Sequence, residues 1–274
     1  INQLHTFEMR ELSEIGSYEE LTMKIQSHER NVLQLTQDLR SFVNMNQDPH
    51  QSPNFSSERH DNLAILLHVV DLYFHHAIIV LLVLKSIKIL SRKSVNRCHI
   101  DPSVIDVLQR IIGAYSSDCQ ICIEFSNIVL NICYERDNVP RVIDKGCILQ
   151  LTRLMSGEFQ SDYKLLSAVV GALQSICFQA EGKDSVRQSG AILPVIQLLT
   201  CKDTTVRSRA VGVIHNLSSD LSIVPDLRIG GAIPDLIALL HDPNVNISVS
   251  AAGCIQNFSR EDKSRATIRD CGGV

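Results

Sequence analysis

A segment in the second half of the chain is written twice. Gly190-Ala191-Ile192-Leu193-Pro194-Val195-Ile196-Gln197-Leu198-Leu199 is answered by Gly231-Ala232-Ile233-Pro234-Asp235-Leu236-Ile237-Ala238-Leu239-Leu240. Ala210–Leu217 is answered in the same way by Ala251–Phe258. The glycines that open the units, Gly146, Gly190, Gly231 and Gly273, are separated by 44, 41 and 42 residues. A second landmark keeps step with them. Asn216 and Asn257 are 41 residues apart, and the same position falls upstream on Ser175, Asn131 and Ser86. A period in the forties is the mark of stacked helical repeats, each too small to bury its apolar face alone.

Each unit reads as helices joined by short breaks. Glycine tolerates the left-handed backbone of a sharp bend. Pro194 and Pro234 follow in the first turn, where a missing N–H costs little. Ile192, Val195, Ile196 and Leu199 recur at the spacing of one helical face. Cys201-Lys202-Asp203-Thr204 is a polar break in which Asp203 or Thr204 can cap the next helix. That helix, from about Val206 to Ser218, is apolar at Ala210, Val213, Ile214 and Leu217 and is expected to be the most buried of its unit.

These segments resemble the armadillo repeat family. The likeness rests on the "GAI(P)xLIxLL" helices at Gly190–Leu199 and Gly231–Leu240 and the "AxxxIxNL" helices at Ala210–Leu217 and Ala251–Phe258. Fainter copies begin at Gly146 and Val104, with a leading helix at Val80–Ile87. The resemblance implies an all-α fold, a right-handed armadillo superhelix preceded by a helical N-terminal segment. By this reading residues 1–47 are amphipathic and helical, 48–60 are a linker, and 61–274 hold the repeats. The units lie near 61–100, 101–145, 146–189, 190–230 and 231–272, followed by the start of another. The chain begins at Ile1 and stops inside that opening, so an excerpt of a longer protein is expected.

Composition narrows the function. The net charge is −4 and aromatic residues are 5% of the chain. Mild acidity argues against a nucleic-acid binder, which usually carries a basic footprint. Nine cysteines, an odd number and mostly on apolar helical faces, read as reduced thiols in an intracellular, cytoplasmic protein. Cys119-x-x-Cys122 has metal or redox spacing, but no second pair and no βαβ context accompanies it. His60, His68, His75 and His76 lie close together without a completing ligand. No phosphate-binding loop, nucleophile elbow or dinucleotide fingerprint occurs. The expected protein is therefore no enzyme. It needs no cofactor or metal and takes no small-molecule substrate.

The rest of the chain fits this picture. Leu21, Ile25, Val32, Leu35, Leu39 and Phe42 recur at helical spacing, after a shorter run through Leu4, Phe7, Leu12 and Ile15. They read either as a partner-binding arm or as helices capping the first unit. Ala77–Leu84 is an unbroken run of eight apolar residues, far short of the roughly 20 that a membrane span needs. It is read as a buried repeat helix rather than a membrane helix.

Asn131, Asn216 and Asn257 are the leading site candidates, with His215 and Gln256 beside them. The resemblance implies that their helix lines a long concave groove. An amide offers both a donor and an acceptor. A row of amides can pin the main chain of an extended peptide or partner protein. It can equally bond its own helix ends or the neighbouring unit. Nuclear-import adaptors of the family carry Trp four residues before the Asn. Here that place holds Asn127, Gly212 and Gly253, and the chain has no Trp. The lysine row of acidic-peptide binders such as the catenins is also missing. The groove is therefore expected to be mixed and polar. A further possibility is a regulatory or assembly module of a multi-domain, membrane-attached or cytoskeletal protein.

Overall fold

A computed structural model of the chain describes residues 14–55, 63–156 and 159–273. Every regular element among the described residues is helical. They group into two compact units, the first ending at Val104 and the second beginning at Ile105.

The first unit opens with α1 (Tyr18–His28) and α2 (Val32–Met45). Ser17 caps α1 by accepting from the Glu20 N–H at 3.1 Å, and Asn31 caps α2 from Gln34 at 3.1 Å. Leu21, Ile25, Leu35, Leu39 and Phe42 are fully buried, as their spacing predicts. Val32 is exposed, because it stands at the first turn of α2, before the buried face begins. Of the shorter run, Ile15 is buried, while Leu4, Phe7 and Leu12 fall outside the described residues. Helices α3 (Ala64–Leu72) and α4 (Ala77–Ser91) follow. The apolar run lies in α4, which packs on α2 and α3 and is buried along most of its length. None of the described helices is long and apolar enough to cross a membrane.

A short helix α5 (Ser94–Arg97) ends this unit and carries buried Asn96. The Asn96 Oδ1 accepts from the Phe55 N–H at 2.9 Å. Its Nδ2 donates to the Pro53 carbonyl at 2.9 Å and the Leu90 carbonyl at 2.8 Å. The described part of the expected linker is thus tied to α5 through the Asn96 side chain.

The second unit is built from α6 (Ser103–Ala114), whose first two residues precede the division, then α7 (Cys119–Ile132), α8 (Val139–Asp144), α9 (Cys147–Met155) and α10 (Tyr163–Ile176). It continues with α11 (Ala180–Gln188), α12 (Ile192–Gln197), α13 (Thr204–Ser218), α14 (Val224–Ile229), α15 (Ala232–Leu239), α16 (Val245–Phe258) and α17 (Asp262–Asp270). The layers have three helices: a short one, a middle one and a long one, as in α8–α9–α10. The short helix precedes the glycine, so a layer starts upstream of the glycine that the sequence reading took as its opening.

The glycines do bend as expected. Gly146, Gly190 and Gly231 have φ of 72°, 78° and 87°. The fourth left-handed residue is Gly272 (φ 73°), which corrects the assignment to Gly273. Gly273 occupies the place of Ala191 and Ala232, whose small side chains are fully buried. A Cβ there would press against Ile237 and Ile268.

Each long helix starts on an acid or amide cap. Asp118 accepts from Ile121 at 3.0 Å, Asp162 from Leu165 at 2.9 Å, Asp203 from Thr205 and Val206 at 2.9 Å, and Asn244 from Asn246 at 3.0 Å. Such caps contribute about 1 kcal/mol each. Arginines then pair across layers: Arg187 with Asp226 at 2.5 Å, Arg207 with Asp242 at 2.9 Å and Arg228 with Glu261 at 3.0 Å.

Candidate functional site

The long helices pack in succession, α7 on α10, α10 on α13 and α13 on α16. One residue type lets them approach. Gly171, Gly212 and Gly253 occupy the place four residues before Ser175, Asn216 and Asn257. A Cβ at Gly212 would collide with the Gln174 amide, and one at Gly253 would lie 2.8 Å from His215 Nε2. One at Gly171 would lie 2.6 Å from Leu130 Cδ1 and overlap the Arg209 guanidinium. The side chains of Leu130, Gln174 and His215 therefore lean over a glycine of the following layer.

The asparagines tie the same helices together. Asn216 Nδ2 donates to the Gln174 carbonyl at 3.1 Å, and Asn257 Nδ2 donates to Ser218 Oγ at 3.1 Å. Both amide orientations follow from their partners. A backbone carbonyl can only accept, and Ser218 Oγ already donates to the His215 carbonyl at 3.0 Å. Each side-chain carbonyl, Oδ1, is left without a donor among the described residues. Asn131 is half-buried and also engaged within the fold. His215 and Gln256 are exposed.

Helices α7, α10 and α13 enclose a cleft of about 470 Å³, lined among others by Tyr134, Gln174, Ser175, Phe178, Arg209 and Asn216. Of the five expected site residues, only Asn216 lines it. Asn131, His215, Gln256 and Asn257 lie elsewhere on the same run of helices. Tyr134 and Phe178 are 64% and 75% exposed, unusual for aromatic rings inside a folded unit. They stand three residues after Asn131 and Ser175, one helical turn on. That regular offset was the available signal in the sequence. Arg209 is half-buried and donates through Nη1 to the Ser167 carbonyl. Burial draws its pKa below the ordinary arginine value, with nearby Tyr134 acting in the opposite sense. Ser175 Oγ is buried and has no hydrogen-bond partner among the described residues.

The cysteines are all free. Cys119 Sγ donates to Asp162 Oδ2 at 3.4 Å and Cys122 Sγ to the Ser116 carbonyl at 3.4 Å, so the pair serves two separate helix ends. No group of three His, Cys, Asp or Glu residues among those described is arranged to hold a metal ion. His68 sits 3.5 Å from Glu29, and His60 is outside the described residues. Burial pushes the thiols of Cys122, Cys147 and Cys254 up to about 12 and those of Cys133 and Cys177 further. The thiolate is the nucleophile, so these five stay inert near neutrality. Iodoacetamide at pH 7.5 is expected to modify exposed Cys98 and Cys271 quickly and the five buried thiols only after denaturation. Mass spectrometry of the labelled chain checks this.

Comparison with known proteins agrees with the geometry. Residues 179–219, which hold α11, α12 and α13, match the Armadillo/beta-catenin-like repeat. No curated protein matches the chain in sequence. Among solved structures, a crystal structure of an engineered protein superposes with a TM-score of 0.79 at 17% identity. It covers 93% of this chain, which spans 62% of that one. A designed armadillo repeat protein is similar at TM-score 0.74 and 16% identity, covering 86% of this chain and 99% of its own. Another, in complex with peptide (KR)4, gives 0.72 at 18%, covering 87% and 99%. The matched repeat, the three-helix layers and the left-handed glycines lead to one conclusion: the chain carries an armadillo repeat at residues 179–219 and has the armadillo-repeat fold.

Proposed function

We propose that this protein is a non-catalytic scaffold that holds an extended peptide segment of a partner protein along α7, α10, α13 and α16. The supporting observation is the state of the two amides. Asn216 and Asn257 each spend one N–H on the preceding layer and keep the carbonyl acceptor open, one layer apart. Extended main chain presents N–H groups at intervals and is the natural partner for such acceptors. The designed armadillo repeat protein bound to (KR)4 shows that this fold can seat a peptide. The acidic balance of the chain fits a protein partner rather than nucleic acid. Nine free cysteines fit a reducing compartment such as the cytoplasm.

The test is a double variant, Asn216→Ala with Asn257→Ala, titrated with a panel of fluorescent octapeptides. Each lost hydrogen bond to ligand is worth about 0.5–1.5 kcal/mol, so affinity is expected to fall roughly tenfold. The cross-layer bonds are lost as well, and a modest drop in melting temperature accompanies the change. A drop in stability with unchanged affinity would falsify the groove assignment and leave the amides as purely internal ties.

A further inference from the structure

The arginines of the second unit are not equivalent. Arg187, Arg207 and Arg228 each face a carboxylate of the following layer. Arg209 lies two residues after Arg207 on the same helix, yet no carboxylate of the described residues lies within ion-pair distance of it. Its one hydrogen bond goes to the neutral Ser167 carbonyl. A guanidinium has five donors and remains charged at neutral pH. Withdrawing such a charge from water without a counter-ion is costly, and an arriving anion in good geometry offsets part of that cost.

The surroundings define the ligand further. Among the described residues, Arg209 is the only charged side chain lining the cleft. It can lie across α10 because Gly171 has no Cβ to exclude it. The exposed rings of Tyr134 and Phe178 line the same cleft. Ser175 Oγ adds a buried hydroxyl still lacking a partner. Ser126 in α7, by contrast, bonds back to the Cys122 carbonyl at 2.8 Å. The cleft thus presents one cation and two apolar rings, with hydroxyl and amide acceptors for main chain.

Building on the groove reading above, we propose that the cleft takes an extended peptide bearing an acidic side chain. Its carboxylate pairs with Arg209, and an adjacent apolar side chain lies against Tyr134 and Phe178. Planar guanidinium and carboxylate groups match in two parallel hydrogen bonds, which sets the register of the bound chain.

Three octapeptides of alternating sequence, Glu-Leu, Gln-Leu and Lys-Leu, test this by fluorescence anisotropy with the whole chain. The Glu-Leu peptide is expected to bind at least tenfold more tightly than the other two. In Arg209→Gln the preference disappears while the Gln-Leu affinity is kept. In Arg209→Lys a weaker preference survives. Retention of the full preference in Arg209→Gln would overturn the proposal, as would equal or tighter binding of Gln-Leu or Lys-Leu to the intact chain. A second measurement needs no variant. A Glu-Leu peptide with one photoreactive leucine should cross-link to the segments bearing Tyr134 or Phe178, and cross-linking confined to other segments counts against the site. If Gln-Leu or Lys-Leu binds best and remains sensitive to the Asn216, Asn257 double variant, the scaffold reading stands and the acidic preference falls. If none of the peptides binds, both fall.

Discussion

Replacing Gly182 by alanine is expected to destabilise the second unit by about 2–3 kcal/mol, the reverse of the usual helical result. Alanine in place of glycine inside a helix ordinarily gains about 1 kcal/mol. Here Gly182 lies in α11 with its missing Cβ aimed at the end of α10. The added methyl would overlap the Ile176 carbonyl oxygen and lie 2.8 Å from the Ile176 carbonyl carbon and Cγ2. Backbone cannot swing aside as a side-chain tip does, so α11 must move away from α10. Gly212 is the control. A methyl there meets only the Gln174 amide, the far end of a flexible chain. Thermal unfolding followed by helical circular dichroism should show Gly182→Ala melting roughly 5–10 °C lower, at 2–4 °C per kcal/mol, and Gly212→Ala close to the parent. An unchanged midpoint for Gly182→Ala would mean that the two helices separate at no cost.

Asn96→Ala carries a comparable effect in the first unit. Asn96 is fully buried, and its side chain alone satisfies the Phe55 N–H while bonding the Pro53 and Leu90 carbonyls. A buried polar group left bare costs about 1–3 kcal/mol. With three groups affected and water reaching some of them, a loss of about 3 kcal/mol is expected. Asn96→Asp should not rescue it. An aspartate can still accept from Phe55, but it offers the two carbonyls another acceptor. Hydrogen exchange is the direct measurement, because protection of the Phe55 amide should fall well before global unfolding. Full protection in Asn96→Ala would show that the amide does not hold residues 53–55. The same device recurs 42 residues later, where buried Asn138 donates to the Ile132 carbonyl at 3.0 Å.

What could be read in advance was whatever local spacing determines. Ile192, Val195, Ile196 and Leu199 declare one helical face, and all four are buried. Gly146, Gly190 and Gly231 declare a bend, and all three have positive φ. The short helices were harder. Among the residues of α11, from Ala180 to Gln188, only Gly182 and Val186 are buried, so no apolar stripe announces the helix. Read without that helix, a layer opens at its glycine, and at the last bend two adjacent glycines, Gly272 and Gly273, are equally eligible until the backbone shows positive φ at Gly272. The site divides in the same way. The Asn ladder is a periodic signal and was visible. That Asn216 and Asn257 each donate to the preceding layer is a property of two helices some 40 residues apart. Arg207 and Arg209 stand two residues apart with the same charge, and only the fold shows one paired with Asp242 and the other beside the cleft.

The lean of Leu130, Gln174 and His215 over the next layer's glycines has a consequence for redesigning this surface. Each of these side chains is rooted in one rung and seated on another, so its pose depends on both. Enlarging Gly212 would redirect Gln174, and enlarging Gly253 would redirect His215, with no change in either side chain itself. Substitutions at such pairs should couple instead of adding. Selectivity along this surface would then have to be rewritten two rungs at a time.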